Sequence, residues 1–151
     1  MPQSPSDAGE TTPLPLHALL GIEVASAQDP FVLRLAGRPD LLNQRGVLHG
    51  GVISALLDAA LGGAIVRGIA PQEWCGTTQL SVQFLRPAFD GPFEAEGEMT
   101  HRGRRCAFAS GTVRDRHGVV VARAHGTWHI WPRRPRRPVE TGGDLAPGSS
   151  G

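Results

Sequence analysis

The chain has few of the residues that hold together small secreted scaffolds. Its 151 residues include only two cysteines, Cys75 and Cys106, and no Cys-x-x-Cys pair. Two thiols are too few for a disulfide framework. The chain opens without a charged segment followed by an apolar one, so we expect no secretory signal peptide and a cytoplasmic location.

An excess of positive charge is also missing. Lysine is absent, and the 15 basic residues are balanced by 14 acidic ones, which gives a formal net charge of +1. Domains that bind nucleic acid usually carry a clear basic excess, so we expect no nucleic-acid partner. The hydrophobic share of 40% and the charged share of 19% are typical of a soluble globular domain.

The signature motifs of several enzyme classes are absent as well. The sequence has no Gly-x-x-x-x-Gly-Lys-[Ser/Thr] loop, no His-Glu-x-x-His and no Gly-x-Ser-x-Gly elbow. His125 and His129 share one face of a predicted strand, but two histidines at that separation do not make a zinc site. We therefore expect neither a bound metal nor a cofactor.

The two ends of the chain differ in composition from its middle. Residues 1–15 and 132–151 are rich in Pro, Ser, Thr and Gly, a composition that buries too little apolar surface to fold. The second segment carries four arginines against two acids, whereas residues 1–131 carry 11 arginines against 12 acids. We predict two disordered tails around one domain of residues 16–131, whose modest core would benefit from oligomerisation.

Hydrophobic patterning predicts the secondary structure of that domain. Two short β-prone segments, 21–27 and 31–35, precede a run rich in Ala, Leu, Ile and Val from about Gly51 to Gly68, long enough for a helix. Four β-like runs follow, separated by turn residues: about 79–84, 93–100, 105–113 and 119–131. The order β-β-α-β-β-β-β predicts an α+β fold with an antiparallel sheet packed against one helix.

The predicted helix carries the most informative residues. Residues 47–66 contain only two ionisable side chains, His49 and Asp58. The stretch is long enough to span a membrane, but its four glycines, its charge and the flanking β sequence favour a core helix, so we expect no membrane partner. A carboxylate there must be paired or functional. An ion pair with Arg45 or Arg67 and a functional role are both open at this point.

Two glycines, Gly50 and Gly51, stand where the helix begins. Glycine lets a ligand approach the backbone closely, and the first-turn N–H groups of a helix have no partner within it. With the helix dipole, such N–H groups stabilise a carbonyl oxygen that gains negative charge. Asp58 lies two turns further on, ~12 Å along the axis at ~1.5 Å per residue. One small substrate does not bridge that distance, but two subunits side by side could.

The residues Asn43-x5-His49-Gly50-Gly51-x6-Asp58-x3-Gly62 resemble the signature of the hotdog-fold acyl-CoA thioesterases, in the phenylacetate-degradation (PaaI-like) branch. Segments 77–87, 103–105 and 121–127 are also similar to strands of that family, so the resemblance covers about residues 16–131. It implies a sheet curled around one long helix. It also implies a homodimer, often paired into a homotetramer, with active sites at the dimer interface.

The resemblance assigns roles to individual residues. The N–H of Gly50 would polarise the thioester carbonyl, and Asp58 of the other subunit would attack it or activate water. Which of these two roles Asp58 takes stays open. His49 and Asn43 would position the thioester, and Thr77 would help to hold the water.

The same resemblance leaves two alternative functions. One is a hotdog-fold acyl-CoA dehydratase or hydratase, which usually places a His-Asp or His-Glu dyad in a different helix motif. The other is a non-catalytic acyl-CoA-binding module. In every case coenzyme A belongs to the substrate and is not a cofactor.

Substrate binding needs cations for the phosphates of coenzyme A and an apolar pocket for the acyl group. Arg86, Arg104 and Arg105 are the phosphate candidates because arginine binds phosphate through two parallel hydrogen bonds. The alternative is that they only charge an exposed sheet edge. For an aromatic or medium-chain acyl group the predicted contacts are Gly51, Leu57, Leu61, the loop 41–48 and strands of the partner subunit. The alternating Glu94, Glu96 and Glu98 predict a solvated sheet face.

Overall fold

The computed structural model of the protein describes residues 14–136. Apart from residues 14–15 and 132–136, the two predicted tails lie outside that range, and their disorder stays a prediction. The elements follow one another in this order: α1 (Pro15–Leu20), β1 (Ile22–Ser26), β2 (Phe31–Leu35), a 3₁₀ turn (Pro39–Leu41), α2 (Gly50–Gly68), β3 (Trp74–Phe84), β4 (Phe93–Arg102), β5 (Cys106–Arg114) and β6 (Val120–Trp131).

The predicted element order is confirmed, with one addition. Helix α1 was not predicted, because six residues are too few to show helical periodicity. Its end signals are nevertheless in the sequence. Pro15 occupies the first turn, where a missing N–H costs nothing, and Gly21 ends the helix in the left-handed conformation with φ 73°. The folded domain therefore begins slightly before residue 16.

The six strands form one antiparallel sheet, which confirms the predicted fold class. Their spatial order is β1-β2-β4-β5-β6-β3, and α2 contacts the inner faces of β2 to β6. Buried residues alternate with more exposed ones at the start of β4 and along most of β6, as expected for a half-buried sheet. The largest fully buried side chains come from both layers: Leu33, Leu35, Leu56, Leu57, Leu61, Ile65, Phe93, Val113, Val121 and Trp128.

The helix lies very close to the sheet at a glycine of β4. A Cβ atom on Gly97 would lie 2.6 Å from the carbonyl carbon of Ala60, in the backbone of α2. On the neighbouring strand, a Cβ atom on Gly111 would lie 2.7 Å from Cδ1 of Leu61. Gly97, whose contacts are with the helix backbone, therefore sets how deep α2 sits, and with it the position of the side chains that α2 carries.

Strand β3 forms an edge of the sheet and contains a bulge. Within residues 14–136 it is hydrogen-bonded only to β6. Thr77 lies opposite Trp128 and Gln79 opposite Thr127, so Thr78 is an extra residue. A bulge shifts the alternation of side chains by one position. As a result Thr77 faces the helix together with residues further along β3, such as Leu80 and Val82, which pack against the core.

Helix α2 is buried on the side that meets the sheet and open on the other. Six residues are fully covered: Ile53, Leu56, Leu57, Ala60, Leu61 and Ile65. By length and composition alone α2 could cross a membrane. Core helices of soluble proteins have the same character, and the packing of α2 against five strands is that of a core helix.

Candidate active site

The loop before α2 is shaped by Asn43. Its backbone N–H donates to the carbonyl of Val47 at 2.8 Å, and its side-chain Oδ1 accepts from the N–H of Arg45 at 2.8 Å. Leu42 and Leu48 pair across the loop as an isolated antiparallel bridge. Asn43 thus folds the turn that presents the helix start, and it makes no hydrogen bond with His49.

His49 caps the helix. Its Nδ1 accepts a hydrogen bond from the N–H of Gly51 at 2.9 Å, and its carbonyl accepts from Val52 and Ile53. A neutral imidazole that accepts at Nδ1 carries its proton on Nε2. A Cβ atom on Gly51 would lie 3.1 Å from Nδ1, so glycine at this position gives the ring room to fold back. The exposed imidazole therefore offers an Nε2–H donor to a ligand.

Gly50 supplies the remaining donor of the first turn. The N–H groups of Gly51, Val52 and Ile53 are all used within the cap, whereas no acceptor in residues 14–136 bonds the N–H of Gly50. The ring of Phe84 lies over this glycine, 3.4 Å from where a Cβ would stand. A free N–H at a helix N-terminus beside an apolar wall is suited to bind a carbonyl oxygen that becomes negative.

Asp58 is held by a hydroxyl group on β3. Thr77 Oγ1 donates to Asp58 Oδ1 at 2.8 Å, and Asp58 is half-buried. Neither Arg45 nor Arg67 forms an ion pair with it in the described part of the chain. Within the described residues of one subunit the ion-pair alternative is not realised, and one carboxylate oxygen accepts no hydrogen bond from a donor among these residues. Such a group can accept a proton or attack an electrophile.

One subunit holds the two halves of the candidate site apart. Asp58 and Thr77 form one half, and Gly50 with His49 forms the other, eight residues or ~12 Å away along α2. The structure brings Thr77 to Asp58, whereas the role of holding water, which the resemblance implied for Thr77, stays a prediction. Asp58 and the N–H of Gly50 remain ~12 Å apart within one subunit, as helix geometry predicted.

A groove beside the N-terminus of α2 contains residues that were not predicted. It encloses about 470 Å³ and is lined by Asn43, Gly50 and Arg86 together with the apolar end of β3 and the loop after it. Phe84 and Phe89 are 55% and 61% exposed there. Aromatic side chains left open beside a polar site mark a binding surface. In the sequence, only the position of Phe84 and Phe89 on either side of Pro87 suggests that the two rings lie close together.

Leu57 and Leu61 lie elsewhere. Both are completely covered by their own chain, and Leu61 packs onto Gly111 of β5. These two side chains therefore pack α2 against the sheet. Their contact with substrate stays a prediction. Gly51, in contrast, is exposed beside His49.

The three arginine candidates lie at opposite ends of the sheet. Arg86 lines the groove, and its guanidinium donates to the carbonyl of Val120 at 2.8 Å. Arg104 and Arg105 are exposed on the β4–β5 hairpin. That hairpin adjoins the far end of β6, since Ile130 N–H donates to the carbonyl of Arg105. Within one subunit the two groups cannot bind the same phosphate.

Arg102, on the same hairpin, has a protein partner. It donates to Glu73 Oε1 at 2.7 Å. The backbone N–H of Ala70 and the Arg102 guanidinium lower the pKa of Glu73, so the pair is ionised at neutral pH. The phosphate candidates of the hairpin are therefore Arg104 and Arg105.

Cys75 is not suited to be a nucleophile. It lies on β3, packed against the core, and burial raises the pKa of its thiol. A protonated thiol is a poor nucleophile. The carboxylate of Asp58 is thus the better candidate on this side of the helix.

The chain is similar to known proteins. A family model described as the thioesterase superfamily matches residues 45–122. The medium/long-chain acyl-CoA thioesterase YigI of Escherichia coli K12 is 26% identical over 133 residues, with 78% of this chain and 86% of that protein covered. A thioesterase family protein from Silicibacter pomeroyi is 27% identical, with a TM-score of 0.73 over 78% of this chain and 89% of the other. A Bacillus halodurans protein crystallised with CoA is 26% identical, with a TM-score of 0.72 over 77% and 75%.

Proposed function

We propose that this chain, which belongs to the thioesterase superfamily, hydrolyses acyl-CoA thioesters to a carboxylic acid and free coenzyme A. The observation that carries the proposal is the pairing of Asp58 with Thr77, together with an N–H at Gly50 on the same helix that has no acceptor among residues 14–136. The acyl-CoA thioesterase activity in the name of the E. coli relative supports it, as does the CoA in the B. halodurans crystal.

The proposal includes a homodimer that completes the site. The free edge of β3 is 11 residues long, and such edges readily pair with another strand. If two β3 edges pair antiparallel about Leu80 and Ser81, Thr77 of one subunit lies opposite Phe84 of the other. Phe84 covers Gly50, so the oxyanion donor of one subunit then adjoins the carboxylate of the other.

In this arrangement the reaction needs no group beyond the two chains and water. The thioester carbonyl oxygen accepts from Gly50 N–H, and His49 Nε2–H donates beside it. As a base, Asp58 takes a proton from water while the water oxygen bonds the carbonyl carbon. The C–S bond then breaks, and the proton passes to the departing sulfur. As a nucleophile, an Asp58 oxygen instead bonds the carbonyl carbon, and the C–S bond breaks to release the CoA thiolate. Water then hydrolyses the mixed anhydride, which restores the Asp58 carboxylate, frees the acid and supplies the proton of the thiol.

The acyl group would occupy the groove beside Gly50. Its aromatic lining suits a phenylacetyl-type group, as in the PaaI-like branch, or a medium chain, and its volume falls in the range of small-molecule sites. A panel of acyl-CoA esters, with released thiol as the readout, tests the function. Thiol release supports it. Hydration without thiol release, or tight binding without turnover, would contradict it.

Thr77→Val should lower kcat for acyl-CoA hydrolysis roughly 10- to 100-fold with little change in KM. A hydrogen bond to a charged group is worth ~1.5–3 kcal/mol, and each ~1.4 kcal/mol is a factor of ten. Thr77→Ser keeps the hydroxyl and should retain most of the rate. Thr78→Val is the matched control, because the Thr78 hydroxyl donates to the Thr127 carbonyl instead. Equal effects of the two valine variants would count against the assignment.

Phe89→Ala should raise KM for the preferred aromatic or medium-chain ester about tenfold and leave acetyl-CoA nearly unaffected. Burial of an aromatic side chain by the acyl group stabilises the complex by ~1.5–3 kcal/mol. The variant loses this free energy only with an ester whose acyl group reaches residue 89. Steady-state kinetics with the two esters measures the difference. Phe108→Ala, at an exposed aromatic of β5 outside the groove, is the control. An equal KM change with both esters would place the acyl group elsewhere.

A further inference from the structure

The end of the sheet that carries the β4–β5 hairpin has many arginines and almost no acidic residues. Residues 101–108 and 127–136 contain six arginines and neither Asp nor Glu. Glu73, just before β3, is the one acid of the adjoining segment 70–76, and Arg102 already pairs with it. The other five arginines of the two ranges are exposed and form no ion pair within the described residues: Arg104, Arg105, Arg133, Arg134 and Arg136.

Aromatic side chains lie among these arginines on the outer face of the sheet. Trp74 and Trp131 are partners in register at the ends of β3 and β6, and both point outward because the neighbouring Ile130 is buried in the core. Trp74 is 43% exposed, and Phe108 of β5 is 41% exposed. The guanidinium of Arg134 lies 4.9 Å from the centre of the Trp74 ring. We call the three rings and the five exposed arginines the basic aromatic end.

We propose that the basic aromatic end binds the surface of an anionic lipid bilayer. The arginines would pair with the phosphates of anionic headgroups, which attract basic residues. The indole and phenyl rings would lie at headgroup level, where a Trp ring is buried while its N–H stays among polar groups. Because α2 packs against five strands as a core helix, the contact is with the bilayer surface and does not involve a spanning helix.

The charge of this end requires an anionic partner, and its rings favour a bilayer over a nucleic acid. Bases of single-stranded nucleic acids stack on open aromatic faces. One face of the Trp74 ring is occupied by Arg134, and the Phe108 ring stacks with His101 at 5.9 Å between centroids. Rings whose faces are partly covered by their own chain can still enter the space between lipid headgroups. The inference does not depend on the thioesterase activity.

Co-sedimentation of the full chain with lipid vesicles tests the proposal. Vesicles that contain phosphatidylglycerol should bind the protein at low ionic strength, whereas vesicles of phosphatidylcholine alone should not. Added salt should weaken the binding because it screens the arginines. Tryptophan emission should move to shorter wavelength when the protein binds, because Trp74 leaves water.

Removal of two arginines should weaken this binding strongly. Arg133→Gln/Arg136→Gln should lower the affinity for the anionic vesicles roughly 20-fold, because one basic residue near an anionic surface contributes about a factor of five. Arg116→Gln/Arg123→Gln is the matched control. It removes the same charge at two exposed positions away from the basic aromatic end and should leave the affinity nearly unchanged.

Removal of a ring should weaken the binding as well. Trp74→Ala should lower the affinity about tenfold, because the variant no longer places an indole at the interface. Val24→Ala changes a 57% exposed apolar residue on β1 and should bind as the wild type does. Circular dichroism checks that each variant folds. Phe108→Ala probes the same surface if Trp74→Ala does not fold.

Three results would overturn the proposal. The first is a wild-type chain that does not bind anionic vesicles at low ionic strength. The second is an equal loss of affinity in the test variants and their controls, or a bound protein with unchanged tryptophan emission. The third is tighter binding to a single-stranded oligonucleotide or to polyglutamate than to the vesicles, which would assign the surface to a nucleic acid or to an acidic protein.

Discussion

Replacing Asp58 by asparagine should lower kcat for acyl-CoA hydrolysis by about a thousandfold while binding of the CoA ester persists. A positioned general base contributes ~10²- to 10⁴-fold, and an amide neither takes up a proton nor attacks a thioester. Asparagine has nearly the same shape, and its Oδ1 can still accept from Thr77 Oγ1. The loss of activity should therefore come from a slower chemical step and not from unfolding.

The measurement is thiol release under saturating substrate, with calorimetric titration of a non-hydrolysable CoA ester for binding. Asp90→Asn is the matched control, because Asp90 is an exposed carboxylate in the loop between β3 and β4. It should keep the wild-type rate. A near-normal kcat for Asp58→Asn would exclude both roles of this carboxylate. Loss of binding together with rate would instead make Asp58 a substrate-positioning group.

The partner of Asp58 shows where prediction from the sequence ends. Helix geometry predicted which residues share a face of α2, but it left an ion pair with Arg45 or Arg67 as plausible as a catalytic role. The structure pairs Asp58 with Thr77, 19 residues further along the chain. That contact depends on the bulge at Thr78, which turns Thr77 toward the helix. A bulge leaves no periodic signal, so the sequence did not predict this pair; the resemblance had assigned the Thr77 hydroxyl only to the water.

The order of the elements was predictable because glycine, proline and turn residues separate runs of clear period. Which face of α2 packs on the sheet was not predictable, because the residues of α2 are apolar on all sides. Leu57 and Leu61 are wholly covered within their own chain, and their contact with substrate stays a prediction. Likewise, the separation of Arg86 from the Arg104 hairpin follows from strand register. Register depends on contacts distant in sequence.

Gly97→Ala should lower the free energy of unfolding by about 3 kcal/mol, the upper part of the usual range for overpacking a core. Most core clashes are relieved when a side chain changes rotamer. Here the added methyl would meet the backbone of α2, 2.6 Å from the carbonyl carbon of Ala60 and 2.9 Å from the nitrogen of Leu61. A helix backbone relaxes only by moving as a unit. The variant should therefore also lose activity, because α2 carries both Gly50 and Asp58.

Urea unfolding followed by circular dichroism measures the change, and Gly62→Ala provides the matched control. A Cβ atom at Gly62 would lie 3.5 Å from Nε1 of Trp128, which is an ordinary contact. Alanine in a helix interior is favoured over glycine by ~0.5–1 kcal/mol, so this variant should be slightly more stable than the wild type. The change from glycine to alanine is thus expected to lower the free energy of unfolding at position 97 and to raise it at position 62. A loss below about 1 kcal/mol for Gly97→Ala would mean that α2 can move away from β4 at little cost, and that the depth of the helix is not set by this glycine.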